Sequence, residues 1–224
     1  MNEKLSLPNI TLVAMTSVLI DDTIKALMYS SKDIDFAEIK LITDKKPNYL
    51  PDKIKFEFTE PITNINEWNH RVVFNLNDYI ETDYVLLIHD DGFVVNANSW
   101  RKEFLNYDYV GAPWSHKHLL DRNGEIISVG NSVSLRSKKL LGIPKRFNMP
   151  WVPHDGNFNE DTQICVWNRN LFLDNGCMFA DYETAKYFSH EEIMSDYDGI
   201  NPFCFHNFGG GNSKYKTLID NFKF

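Results

Sequence analysis

The passage from Asn64 to Gly92 constrains this chain more than any other. Between Asn64 and Ile80 the apolar residues Ile65, Trp68, Val72, Leu76 and Tyr79 recur at spacings of 3, 4, 4 and 3, which predicts a helix with one buried face. Tyr84 to Ile88 (YVLLI) then forms an uninterrupted apolar run, as expected of a central strand covered on both sides. That run stops abruptly at His89-Asp90-Asp91-Gly92.

Upstream, Asn9 to Val18 (NITLVAMTSV) reads as a buried strand. Asp21 or Asp22 can N-cap a following helix from Thr23 to about Ser31. Glu38 to Thr43 predicts a second strand ending at Asp44, and Lys53 to Phe58 alternates like a third. Strands alternating with helices over the first 90 or so residues imply an α/β sheet flanked by helices. Ligands of such sheets gather at the carboxyl ends of the strands, and Thr16-Ser17, Asp44 and His89-Asp90-Asp91 all fall at predicted strand ends.

Beyond residue 92 the order becomes irregular. Ser99 to Leu105 predicts a short helix, Tyr109 to Ala112 and Ser132 to Leu135 predict strands, and Asp161 to Phe172 predicts a helix capped by Asn159. Gly209-Gly210-Gly211 punctuates a loop-rich tail. No repeat or linker divides the 224 residues, so the expectation is a single domain. Within it, the expectation is a nucleotide-binding half over about residues 1–92 and an acceptor-binding half over residues 93–224.

Charge narrows the functional classes. With 23 Lys and Arg against 31 Asp and Glu, the net charge of −8 lacks the basic footprint of a nucleic-acid binder. A phosphorylated ligand would need local cations, from a few side chains or from a metal. Cys165, Cys177 and Cys204 form no CxxC pair and read as core residues of a reducing compartment. The apolar stretch from Ile10 to Ile20 is too short to span a bilayer. Glu3 before it and Asp21-Asp22 after it argue against a signal peptide, so a cytoplasmic location is expected. Lys214-Tyr215-Lys216 and Phe222-Lys223-Phe224 leave room for peripheral contact with anionic lipid, or for a packed terminus.

Four clusters can carry chemistry. Asp90 and Asp91 repel one another unless a cation binds, and Mg²⁺ or Mn²⁺ carrying a pyrophosphate is a natural partner; a plain surface turn is the structural alternative. Asn159-Glu160-Asp161 either favours a helix dipole or supplies a general base. His206, in Pro202-Phe203-Cys204-Phe205-His206-Asn207, is either a packed histidine or a nitrogen ligand for Mn²⁺. Val129-Gly130-Asn131-Ser132 reads as a turn whose Asn can bond ligand hydroxyls. No GxSxG, Walker A or HExxH motif is present.

In this order the clusters resemble a family. His89-Asp90-Asp91-Gly92-Phe93-Val94, Trp100 and the run Phe104 to Trp114 (FLNYDYVGAPW) are similar to a largely uncharacterised, domain-of-unknown-function group of glycosyltransferases. Val129 to Ser137, the Glu160-Asp161 pair and Phe203 to His206 continue the resemblance, which covers roughly residues 84–208. It implies an α/β fold of GT-A type: a Rossmann-like α/β/α sandwich with a mixed, mostly parallel central sheet. It also implies a nucleotide-sugar donor, UDP-linked, and a Mn²⁺ or Mg²⁺ cofactor.

Under the resemblance, Asp91 is the metal carboxylate, His206 the distant metal ligand and His89 a third candidate in the motif's first position, often Gln in this group. Asp161 is the base of an inverting transfer, with Glu160 beside it as a second catalytic candidate. Gly130 and Asn131 line the donor-sugar pocket. Thr16, Ser17 and Asp44 contact base and ribose, and Asp90 faces the donor. Arg71 meets phosphate or simply lies on a solvated helix face, and Trp114 stacks on a sugar or belongs to the core. Where the family is Gly-rich after the Asn, this chain has the bulkier Ser132-Val133-Ser134. The partners implied are the donor and a glycan or glycolipid acceptor. Two rivals remain: a non-catalytic carbohydrate- or nucleotide-binding domain with a degenerate site, and a sugar nucleotidyltransferase. The second normally has a basic, Gly-rich loop, which Asn9 to Asp22 lacks.

Overall fold

The structure is a computed structural model that describes residues 3–115, 119–153 and 156–224. The first half follows a strand-and-helix order: β1 (Leu5–Met15), α1 (Ile20–Ser30), β2 (Ile34–Thr43), β3 (Lys55–Phe58), α2 (Ile65–Phe74) and β4 (Tyr84–Leu87). β5 (Tyr109–Pro113), β6 (Val129–Ser137) and α3 (Lys138–Arg146) follow. Shorter pieces complete the chain: α4 (Glu160–Thr162), α5 (Arg169–Asp174), α6 (Tyr182–Phe188), β7 (Ser189–His190), β8 (Cys204–Phe205) and α7 (Lys216–Asp220).

Six strands form one sheet in the order β3-β2-β1-β4-β6-β5. β1 pairs in parallel with β2 and β4, and β2 with β3, while β6 runs antiparallel to both its neighbours. The result is an α/β fold of GT-A type with a mixed, mostly parallel sheet between helices. The sheet runs without a break from the first half of the chain into the second, through the β4–β6 pairing.

The apolar run of β4 is explained by its two covers. Leu86 and Ile88 join Leu12, Ala14 and Leu41 in one core, whereas Val85 and Leu87 join Val13, Met15 and Ile42 in the other. Trp68, Val72 and Leu76 bring the stripe of α2 onto that second face. Fully burying each such side chain is worth about 1.5–3 kcal/mol, so this two-sided packing dominates the stability of the sheet.

Several boundaries differ from expectation. β1 begins four residues early and carries Pro8 past a register shift between Leu7 and Thr11, where the missing N–H costs no ladder bond. Neither Asp21 nor Asp22 caps α1: the cap position is Leu19, at φ 47° with no side-chain bond, and both acids sit in the first turn. The periodic segment 64–80 is one α-helix followed by a 3-10 turn over Leu76–Tyr79. The expected helix at 99–105 is two 3-10 turns.

The helix expected over 161–172 is broken by a π-helical turn at Gln163–Trp167, in which the Asn168 N–H reaches back to the Gln163 carbonyl. Asn159 occupies the cap position without a side-chain bond. The tail is packed: Phe222 meets the Tyr29 ring edge-on at 5.2 Å, and Tyr215 lies 4.6 Å from Phe205. All three cysteines are buried and unpaired. Among the described residues, no helix is long and apolar enough to cross a membrane.

Candidate active site

The site begins where β1 and β4 end. β4 hands over to a tight turn in which the His89 N–H donates to the Gly92 carbonyl at 2.7 Å. The strand Cys204–Phe205 runs beside the chain leaving that turn, with the Phe205 N–H on the Phe93 carbonyl and the Asn207 N–H on the Asp91 carbonyl. This pairing delivers His206 to Asp91 across more than a hundred residues of sequence, leaving its Nε2 3.6 Å from Asp91 Oδ1. A Cβ on Gly92 would stand 2.6 Å from Val133 and 2.8 Å from the His206 ring, so glycine is what lets the ring approach.

A cavity of about 440 Å³ opens at this edge. Thr16, Ser17, His89, Asp90, Asp91 and His206 all line it, together with the α2 entry at Asn64 and Trp68. Ser17 accepts the Ile62 N–H at 2.9 Å, and Thr16 closes its own turn by accepting the Val18 N–H at 3.0 Å. Not one Lys or Arg stands among the described lining residues.

The three site histidine and aspartate environments are unlike. Burial drives the His89 imidazole well below its ordinary pKa, with the His206 and Arg136 charges adding to it, so His89 is neutral. Its ring lies 5.0 Å from Trp68, and its buried Nε2 has no hydrogen-bond partner. Burial also opposes charge on His206, yet the bond to Glu191 and the carboxylates of Asp91, Glu191 and Asp161 outweigh it and raise its pKa. Burial, then the neighbouring Asp91, raises Asp90.

A second cavity of about 340 Å³ adjoins the first. Asp161 and Trp114 line it, and so does Glu191, whose Oε1 is 3.1 Å from His206 Nδ1. The His206–Glu191 contact is therefore a shared wall between the two cavities. Asp161 is held by two backbone donors, Asn131 N–H to Oδ2 at 2.9 Å and Thr162 N–H to Oδ1 at 2.8 Å. Burial raises its pKa despite both bonds. Asn131 sits at φ 110° and is almost fully buried; its Oδ1 accepts the Val133 N–H and its carbonyl the Tyr109 hydroxyl.

Other expected residues lie elsewhere. Glu160 is 1% exposed and pairs with the equally buried Arg136 at 2.7 Å; burial pushes its carboxyl up to about 7 against the pull of that arginine. It lines neither cavity. Arg71 donates to the Thr59 hydroxyl and the Glu60 and Pro61 carbonyls, fastening a loop rather than facing a ligand. Asp44 ends β2 outside both linings. Gly130 works through Trp114: a Cβ there would fall 1.9 Å from Trp114 Cζ2, so the indole lies on bare backbone.

Glu191 is the residue that sequence reasoning missed. In Ser-His-Glu-Glu-Ile it looks like one of two solvent-facing acids, and only the β7–β8 pairing of Ser189-His190 with Cys204-Phe205 brings it to His206.

For a divalent ion the donor chemistry fits. Asp91 offers an oxygen and His206 a nitrogen, inside a ring of carboxylates that already favours positive charge at His206. Among the described residues no group of three or more His, Cys, Asp or Glu is gathered for a metal, so the remaining positions would fall to ligand oxygens and water.

Sheet order, antiparallel β6 and a cavity at the strand ends define a glycosyltransferase-like GT-A fold. A crystal structure of a glycosyltransferase involved in glycosylation of the major capsid of PBCV-1 is similar to the chain, with a TM-score of 0.54 at 14% identity, covering 94% of this chain and 98% of that one. S. aureus TarS 1-349 matches with a TM-score of 0.47 at 12% identity, and the chain spans 64% of it. The glycosyltransferase GlyE of Streptococcus pneumoniae TIGR4 matches with a TM-score of 0.48 at 14% identity, over 92% of this chain and 54% of that one. No curated protein matches the sequence. The chain belongs to the family described as protein of unknown function (DUF5672), whose model matches residues 54–206.

Proposed function

We propose that the protein transfers a glycosyl unit from a nucleotide-sugar donor, with a UDP-linked sugar as the first to test, to an acceptor hydroxyl with inversion. The observation that carries this reading is the pair of cavities on either side of the His206–Glu191 contact, one holding Asp91 and His206, the other Asp161. The first cavity has no Lys or Arg among its described lining residues to offset the charge of a diphosphate. Asp91 and His206 would hold Mn²⁺ or Mg²⁺, which when bound offsets the charge developing on the leaving diphosphate. Thr16 and Ser17, at the end of β1, offer hydroxyls to the nucleoside.

Asp161 takes the proton of the acceptor hydroxyl as that oxygen attacks the anomeric carbon. The Asn131 and Thr162 N–H groups fix the carboxylate's plane and leave each oxygen a further lone pair. The burial that raises its pKa makes it a stronger base than a solvated aspartate. Attack from the second cavity, with the diphosphate leaving into the first, inverts the configuration. Glu160, committed to Arg136, is left out of the proton path.

Calorimetry with a panel of nucleoside diphosphates and nucleotide sugars, in Mn²⁺ and then in EDTA, tests the reading. Binding that needs the metal, lost in Asp91→Ala, is expected. Asp161→Asn should keep that binding and lose turnover by a factor of about 10² or more. No nucleotide binding would overturn the transferase reading, and binding without turnover on any acceptor would favour a degenerate binding domain.

A further inference from the structure

The second cavity has a chemistry of its own. Trp114 and Trp167 supply its aromatic surface, and Asp161, Glu191 and Glu192 its polar side, with no Lys or Arg among the described lining residues. Its volume of about 340 Å³ is at the small end of ligand pockets, room for one or two sugar rings. The Trp114 indole is seated directly against Gly130, where any side chain would displace it, so the ring has its place before a ligand arrives. A pyranose offers what such a wall takes: a C–H face for the indole and hydroxyl donors for carboxylates.

From this we infer that the second cavity is the acceptor subsite and takes an uncharged pyranoside, rejecting sugars that carry a carboxylate or a phosphate. The inference rests on the transferase reading for the word acceptor, but the chemical preference follows from the cavity itself. A neutral sugar keeps its hydroxyl hydrogen bonds to Asp161, Glu191 and Glu192. An anionic one adds a like charge beside three carboxylates, of which Asp161 and Glu191 are only partly exposed to water.

The full chain, without nucleotide, is titrated with methyl glucoside, galactoside, mannoside and N-acetylglucosaminide, and in parallel with methyl glucuronide and galacturonide. Tryptophan fluorescence and saturation-transfer NMR report binding. At least one neutral glycoside is expected to bind, about 10-fold or more tightly than its uronide. Trp114→Ala should weaken that glycoside by about 3- to 10-fold while Mn²⁺-dependent nucleotide binding persists.

Glu192 is exposed, so Glu192→Lys leaves the fold intact; it should strengthen uronide binding by about 3- to 10-fold and, with one hydroxyl acceptor gone, weaken the neutral glycoside by about 2- to 3-fold, which narrows or reverses the preference. Equal affinity for uronide and neutral glycoside, or no binding of any neutral glycoside, would each overturn the inference. The nucleotide titration separates the two claims. Glycoside binding without nucleotide binding would sink the transferase reading alone, and the converse would sink this one alone.

Discussion

Two neighbouring parts of the sheet are stabilised by different means. Around β1, β2 and β4 the interior is mainly aliphatic, with Leu12, Val13, Leu41, Ile42, Val85 and Leu87 at zero exposure and Thr11, Lys40 and Thr43 the buried polar exceptions in these strands. Around β6 and the segments that follow it, polar side chains go inside: Asn131, Ser134, Arg136, Glu160 and Gln163 are each 1% exposed or less. Apolar packing is non-directional and tolerant. A buried polar cluster is directional, costs desolvation, and holds only if its members meet correctly. The proposed base Asp161 sits in the second kind of interior, where Asn131 and Thr162 aim its carboxylate. In this molecule the scaffold is largely apolar, and polar packing aims the carboxylate proposed as the base.

The same contrast explains what could be read from the sequence. β4 and α2 were legible because periodicity is a local signal: five consecutive apolar residues, and a stripe at helical spacing. The ends of elements were less so. Asp21 and Asp22 have good capping chemistry, yet the cap falls two residues before the first of them, at Leu19. Asp91, His206 and Asp161 stand out in their motifs, but nothing local indicates that Glu191 meets His206 between the cavities. Nor could the Arg136–Glu160 pair be foreseen, since charged residues are presumed exposed until a partner is known.

Breaking the polar interior should cost most. Arg136→Met leaves Glu160 buried without its partner, while the Arg136 bond to the Ser134 hydroxyl is lost as well. A loss of about 3–5 kcal/mol in urea unfolding is expected. Leu86→Ala in the aliphatic interior should cost about 2–5 kcal/mol, and a clear cost for Leu86 with none for Arg136 would reverse the contrast. The double replacement Arg136→Met/Glu160→Leu sharpens it further: removing both charges should recover much of the single variant's loss.

Acid probes the same interior next. His190 is 7% exposed, stacked on Tyr197 at 3.8 Å, with its Nε2 2.7 Å from the Lys186 carbonyl. Burial, partly opposed by that carbonyl, pushes its pKa down from 6.5 to about 4. The unfolded chain therefore binds the proton more readily than the folded one between these values. Stability from this group is complete above about pH 6.5 and falls as the pH drops toward 4, by about 3 kcal/mol in all. Urea midpoints between pH 7 and pH 4 check it, and in His190→Gln that part of the slope should vanish.

A smaller effect is expected at the entrance to α2, in the regular half. Asn64 Oδ1 accepts the Glu67 N–H at 3.0 Å while the Glu67 carboxylate accepts the Thr63 N–H at 2.8 Å. Asn64→Ala should cost about 1 kcal/mol, read from the urea midpoint. Because Asn64 lines the first cavity, the same variant reports whether fraying α2 also weakens nucleotide binding.

The smallest effect completes the comparison because it holds the chemistry constant. Lys145 and Asp78 form an ion pair at 2.5 Å, about as short as Arg136–Glu160 at 2.7 Å. Both partners are close to half exposed, so water screens the attraction and two mobile side chains must be ordered to make it. Lys145→Ala should therefore change stability by no more than about 0.5 kcal/mol, and 0.5 M salt should leave the wild-type value nearly where it was. A cost approaching that of Arg136→Met would mean that contact distance governs these pairs. The expected gap between the two variants assigns that role to burial: it makes a broken pair costly, and it makes the buried cluster around β6 able to hold Asp161 in one orientation.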